Sequence, residues 1–181
     1  MVEKEFYRII KDIVRSEEYL GMKACKHHIK GSVYDHSVKT AYLCYKHHKR
    51  FGSNIDLDEF MRGALLHDFY LYDWHDRDPV HRFHGFTHPR CALNNALSRY
   101  PDLTETEQDM ILRHMFPLTP VPPQTKAGWL LCFYDKAAAV SDYFGENKWK
   151  KEADSPKNDE IKISGLTFLK HFLIKSKTTI S

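Results

Sequence analysis

No stretch of this chain approaches the roughly 20 consecutive apolar residues that a membrane-spanning helix needs. The N-terminal segment, Met1 to Ile13, mixes charged and apolar residues and lacks the short basic region and apolar core of a signal peptide. A cytoplasmic protein without a membrane partner is therefore expected. Charge of one sign is also scarce: the formal charge is +3, with no arginine-rich block, so nothing argues for nucleic acid. Cysteines are few and scattered. Cys25, Cys44, Cys91 and Cys132 form no CxxC pair, and in a reducing compartment they read as small, mostly buried thiols rather than disulfides. There is no GxSxG motif, no cysteine with a convincing partner base, no internal repeat and no strand-like alternation.

What remains is an ordinary globular composition, 42% hydrophobic and 28% charged, in 181 residues, enough for one domain with one sizeable core. Histidine is the exception. The chain has 12, which favours a metal or proton-transfer site even if several are surface residues.

Helical spacing dominates the pattern. Residues 2–20 carry Phe6, Ile9, Ile10, Ile13 and Val14 on one face, with Gly21 as a stop, and 22–31 form a connector closed by Gly31. Ser32 caps a helix to about Arg50, whose inward face is Val33, His36, Val38, Thr40, Leu43 and Cys44; Phe51 to Asn54 ends it. Asp56 or Asp58 starts the next helix, with Phe60, Met61, Ala64 and Leu65 buried and His67-Asp68 in its last turn. Thr87 or His88 caps a further helix to Tyr100, with Pro89 at its first position. Thr104 and Glu107 form a capping box for a helix carrying Met110, Ile111 and His114, which stops before Pro117. After the proline-rich connector 117–124, Thr125 opens a helix over 126–144 that is apolar nearly all round and so should be central. A solvated loop over 145–160 leads to a last amphipathic helix, 161–176, with Ile163, Leu166, Leu169 and Phe172. The fold class is all-α, about six to seven helices in a single domain over 1–181. Its core spans about 32–144, with the helices 2–20 and 161–176 packed on it.

Residues 69–87 have no clean period. The stretch is aromatic and rich in His and Asp, and a long irregular segment in a small domain is usually functional. Tyr70, Tyr72, Trp74, His75, His81, Phe83 and His84 can stack on a substrate or simply pack the loop on the core. His84 or Asp73 can serve as an outer-shell partner or general acid.

The candidate ligands are His36, His67, Asp68, His88, His114 and Asp135. Asp135 is the most informative, because a carboxylate inside so apolar a helix is costly unless it is paired or binds a cation. Each also has an ordinary reading: a salt bridge for Asp135, a satisfied core histidine for His36, an N-cap for His88, and histidines complementing helix C-termini for His67 and His114. Adjacent on a helix, His67 and Asp68 project about 100° apart, and one ion can take both only beyond the helix end.

In this order the residues resemble the HD superfamily of metal-dependent phosphohydrolases, whose signature is a His, a His-Asp doublet and a distal Asp on an all-α core. The match covers roughly residues 32–144. The two extra histidines resemble the subset with a two-metal centre, such as the HD-GYP phosphodiesterases and the bacterial diadenosine polyphosphate hydrolases. The resemblance implies one ion on His36, His67, Asp68 and Asp135, and a second on His88 and His114 with Asp68 bridging. Nitrogen and oxygen ligands suit Fe, Mn, Zn or Ni, so one or two such divalent ions are the implied cofactors. Two ions roughly 3.5–4 Å apart would activate a bridging hydroxide to attack phosphorus, with Asp68 and His67 acting through it. The doublet here leads into Phe69-Tyr70-Leu71-Tyr72 without the lysine of the HD-GYP enzymes, and there is no Gly-Tyr-Pro, so cyclic-di-GMP is unsupported. Arg90 first, then Arg82, Lys136 and Lys39, are the candidate cations for substrate phosphate. The expected function is hydrolysis of a nucleotide or related small phosphate ester. The alternative is a non-catalytic HD-like domain in which metal or nucleotide binding is regulatory. A homodimer through the first and last helices is compatible with the pattern.

Overall fold

In the computed structural model, residues 2–26, 31–72 and 83–144 are described; the expected loop 145–160 and helix 161–176 lie outside them. Seven α-helices and no strand occur among the described residues. None of these helices is long and apolar enough to cross a membrane.

The expected first helix is two. α1 (Val2–Val14) buries Phe6, Ile10 and Val14, one residue per turn. Ser16 then ends it and starts the next: its Oγ donates to the Ile13 carbonyl at 2.9 Å and accepts from the Tyr19 N–H, capping α2 (Glu17–Gly21). A hydroxyl that competes for backbone partners breaks a helix that apolar spacing alone would continue. Buried Tyr19 donates its OH to the Leu65 carbonyl at 3.1 Å.

α3 (Val33–Phe51) has the expected cap in fuller form, a Ser32–Asp35 capping box, and ends at Gly52, whose φ of 58° suits a residue without Cβ. Asp56 caps α4 (Leu57–Leu66), and His67 is its C-cap, so the His-Asp doublet lies at and just beyond the helix end. α6 (Glu105–Arg113) opens with the expected Thr104–Glu107 box and has His114 as its C-cap.

α5 (His84–Arg99) starts before the expected cap at Thr87 or His88, with Phe83 at the N-cap and no side-chain cap bond. Pro89 is thus inside the helix rather than at its first position. As the sixth residue of the helix it lacks the N–H that would donate to the Gly85 carbonyl, so α5 gives up one bond just past its first turn. α7 (Lys126–Phe144) is central on one side only: Leu131, Cys132, Asp135 and Ala138 are buried, whereas Trp129, Phe133 and Val140 are 47%, 64% and 56% exposed. Composition predicted a central helix; among the described residues burial follows the neighbours, and these cover one face.

α3, α4, α6 and α7 close a ring, α3 on α4, α4 on α6, α6 on α7 and α7 on α3; α5 packs on α6, and α1 on α4. Side-chain pairs show α4 and α6 running in the same direction: Arg62 meets Glu107, Gly63 faces Met110, and the rings of His67 and His114 stand 4.9 Å apart. Gly63 permits this approach, since a Cβ there would come within 2.6 Å of the Met110 sulfur. Both helices therefore end at the same place.

Asp109 on α6 pins the connector entering α7. Buried, it accepts from the N–H groups of Gln124 and Thr125 at 3.0 and 2.9 Å and from the Thr125 hydroxyl at 2.7 Å. Thr125 in turn caps α7 through the Gly128 N–H at 2.9 Å. Asp109→Ala leaves these donors without their carboxylate and should cost about 2–3 kcal/mol, read as a lower urea midpoint with an unchanged slope. An unchanged midpoint would show that the connector is held without Asp109.

Candidate metal centre

The ring and α5 together gather all six expected ligands. His36 comes from the first turn of α3, His67 and Asp68 from the end of α4, His88 from α5, His114 from the end of α6 and Asp135 from the middle of α7. All are buried. Two helix C-termini, each carrying a partial negative charge, close on the same point and favour a cation there.

Three of the histidines are held in one way. Nδ1 of His67 lies 2.8 Å from the Ala64 carbonyl, Nδ1 of His114 lies 2.8 Å from the Ile111 carbonyl, and Nδ1 of His88 lies 2.8 Å from the His84 carbonyl. A carbonyl only accepts, so each Nδ1 carries the proton and each neutral ring turns an Nε2 lone pair inward. For His67 and His114 this follows from their place at a helix end, where unpaired carbonyls are within reach. Sequence reasoning missed these anchors; the available signal was a histidine as the first residue past a helix end.

The inward atoms form two groups. In the first, His36 Nε2 is 2.9 Å from Asp135 Oδ1, and His67 Nε2 is 3.6 Å from the same oxygen. In the second, His88 Nε2 and His114 Nε2 are 2.9 Å apart and lie 3.2 and 3.4 Å from Asp68 Oδ1. Asp68 Oδ2 meets His67 Nε2 at 3.5 Å, so the two carboxylate oxygens face the two groups. His67 Nε2 makes no hydrogen bond. His36, His67 and Asp135 form one cluster able to hold an ion, and His67, Asp68 and His114 another.

A metal fits. With both Nδ1 protonated, His88 and His114 point lone pairs at one another and at a carboxylate oxygen, which repel unless a proton or a cation lies among them. Ligand atoms about 2.1 Å from one ion, at about 90–109° to each other, lie about 3.0–3.4 Å apart, close to the separations found. These residues can hold a metal ion; nitrogen and oxygen donors suit borderline divalent ions.

The electrostatics agree. Burial raises the carboxyl of Asp68, but the surrounding His67, His114 and His88 outweigh it and hold it well below the usual carboxylate range. Asp135 is likewise raised by burial and held well below that range by His36 and His67. Burial opposes protonation of His67, yet Asp68 and Asp135 raise it; in His114 burial wins and lowers it. Both carboxylates are thus ionised and ready to bind a cation.

Around the centre, Tyr70 is buried with its ring 5.7 Å from His88, and burial pushes its phenol up. Tyr72 OH lies 3.0 Å from His84 Nδ1, and the His84 ring stacks on His88 at 4.5 Å. Phe83 is exposed. Asp73, Trp74, His75, His81 and Arg82 lie outside the described residues. Arg90 is exposed on α5. Lys39 is buried one turn beyond His36 and donates to Ser141 Oγ and to the Ala138 carbonyl, tying α3 to α7. Lys136 Nζ donates to the His114 carbonyl at 2.7 Å.

Comparison with known proteins adds no relative: no family model matches the chain, and neither a curated protein nor a solved structure matches it.

Proposed function

We propose that this is an HD-type metal-dependent phosphohydrolase with a two-ion centre, acting on a nucleotide or related small phosphate ester. One observation carries the reading: His88 Nε2, His114 Nε2 and Asp68 Oδ1, all acceptors, crowd within 3.4 Å, while Asp68 turns its other oxygen toward His67. His36, His67 and Asp135 would hold one ion, His88 and His114 the other, with Asp68 between. Divalent ions there supply the Lewis acidity that polarises a phosphoryl oxygen and renders water nucleophilic at neutral pH. The chain's own part is to bring six ligands together from five helices, to keep both aspartates ionised, and to hold three histidines in the tautomer that presents Nε2.

Metal titration tests this. The protein should take up two divalent ions, and each, at about 100 times its Kd, should raise stability by about 2.7 kcal/mol, a melting-temperature gain of about 5–10 °C per ion for a chain of this size. Chelation should reverse the gain. His88→Ala should keep one ion and lose the other. A panel of phosphomonoesters, phosphodiesters and dinucleotides then separates enzyme from binder. Metal uptake without hydrolysis of any of them would support the regulatory alternative, and no uptake would overturn both readings.

A further inference from the structure

Lys136 follows Asp135 on α7, and its side chain is 43% exposed, yet its ammonium is fully engaged by the protein. Nζ donates to the His114 carbonyl at 2.7 Å and to the Cys132 carbonyl at 3.3 Å, and lies 3.3 Å from Cys132 Sγ. An ammonium has three N–H donors, and these three acceptors account for them. Asp135 Oδ2 is farther, at 3.8 Å. Cys132 adds a second tie, donating its S–H to the Phe116 carbonyl at 3.3 Å. One turn of α7 thus holds the 114–116 turn at two points.

The carbonyl that Lys136 takes belongs to a residue that also faces the centre. His114 is fixed from behind by the Ile111 carbonyl and from the side by Lys136, and presents Nε2 to Asp68 and His88. Its position is therefore set by α7, the helix that carries Asp135 in the other ligand group. We propose that Lys136 is a positioning residue that holds His114 at the separation from Asp68 and His88 needed to bind the second ion. This rests on the two-ion reading above and assigns Lys136 a part other than the substrate contact its charge suggests in sequence.

The test is a titration of wild type, Lys136→Met and Lys136→Arg with Mn²⁺ and with Co²⁺, following stoichiometry and affinity directly and the Co²⁺ absorption of each step. Loss of an outer-shell partner costs roughly 10–100-fold in metal affinity. Lys136→Met, which keeps the apolar stem, should bind the first ion as wild type does, with the same Co²⁺ spectrum, and the second roughly 10–100-fold more weakly. Lys136→Arg, able to donate to the same carbonyl, should recover most of that loss. Unaltered binding of both ions by Lys136→Met, equal weakening of both, or no recovery with arginine would overturn the proposal. Failure of wild type to take up either metal would instead refute the two-ion centre.

Discussion

Asp68→Asn is expected to keep the helical fold and to hold neither ion. The carboxylate turns one oxygen to each ligand set, with Oδ2 at 3.5 Å from His67 Nε2 and Oδ1 at 3.2 and 3.4 Å from His88 and His114. Asparagine has the same shape but neither the charge nor a second acceptor oxygen. Its amide also offers N–H donors to the inward lone pairs, which satisfies the histidines and lets the core close without metal. Loss of an outer-shell contact costs roughly 10–100-fold in affinity, and the loss of a charge shared by two ions should exceed that for each. Metal analysis after dialysis should find the variant empty where His88→Ala retains one ion, and hydrolysis should fall to the level of chelated wild type. Two ions bound to Asp68→Asn would remove Asp68 from between the groups.

Arg62→Met should be the most destabilising change away from the centre. Glu107 is completely buried, and its carboxylate receives Arg62 Nε at 2.5 Å and Nη2 at 2.9 Å. Arg62 Nη1 also reaches Asp102 at 2.8 Å, and Glu107 accepts from the Thr104 N–H at 2.8 Å, closing the capping box of α6. Removing one partner of a buried pair leaves an uncompensated charge and costs about 3–5 kcal/mol. For a chain of this size that is a fall in melting temperature on the order of 10 °C. The measurement belongs in chelator, so that metal does not contribute. Adding Glu107→Gln should restore much of the loss, because the neutral amide retains an oxygen for Thr104 without a charge to bury. A fall of less than about 1 kcal/mol, the scale of an exposed ion pair, would show that water replaces the guanidinium.

The pair matters beyond stability because of where it lies. Arg62–Glu107, Gly63–Met110 and His67–His114 are successive rungs between the same two helices. Loss of the first rung loosens the register that sets the third.

Sequence by itself determined the local elements and the inventory of the centre. Ser32, Thr104 and Gly52 mark helix ends because capping and left-handed backbone are chemistry of a few adjacent residues. The six ligands were legible as residue types in an order, and Asp135 stood out because a carboxylate in so apolar a helix needs a partner. Where local signals competed, the pattern misled. Ser16 broke a helix that spacing would have continued, Pro89 lay inside α5 rather than at its start, and the described neighbours of α7 cover only one of its faces. Tertiary structure alone decided how the ligands meet. That α4 and α6 run together so that two C-termini converge, and that Asp68 divides its oxygens between two groups, depends on distances between residues far apart in the chain. Those distances are products of packing, to which side chains on several helices contribute at once, and no short stretch of sequence encodes them.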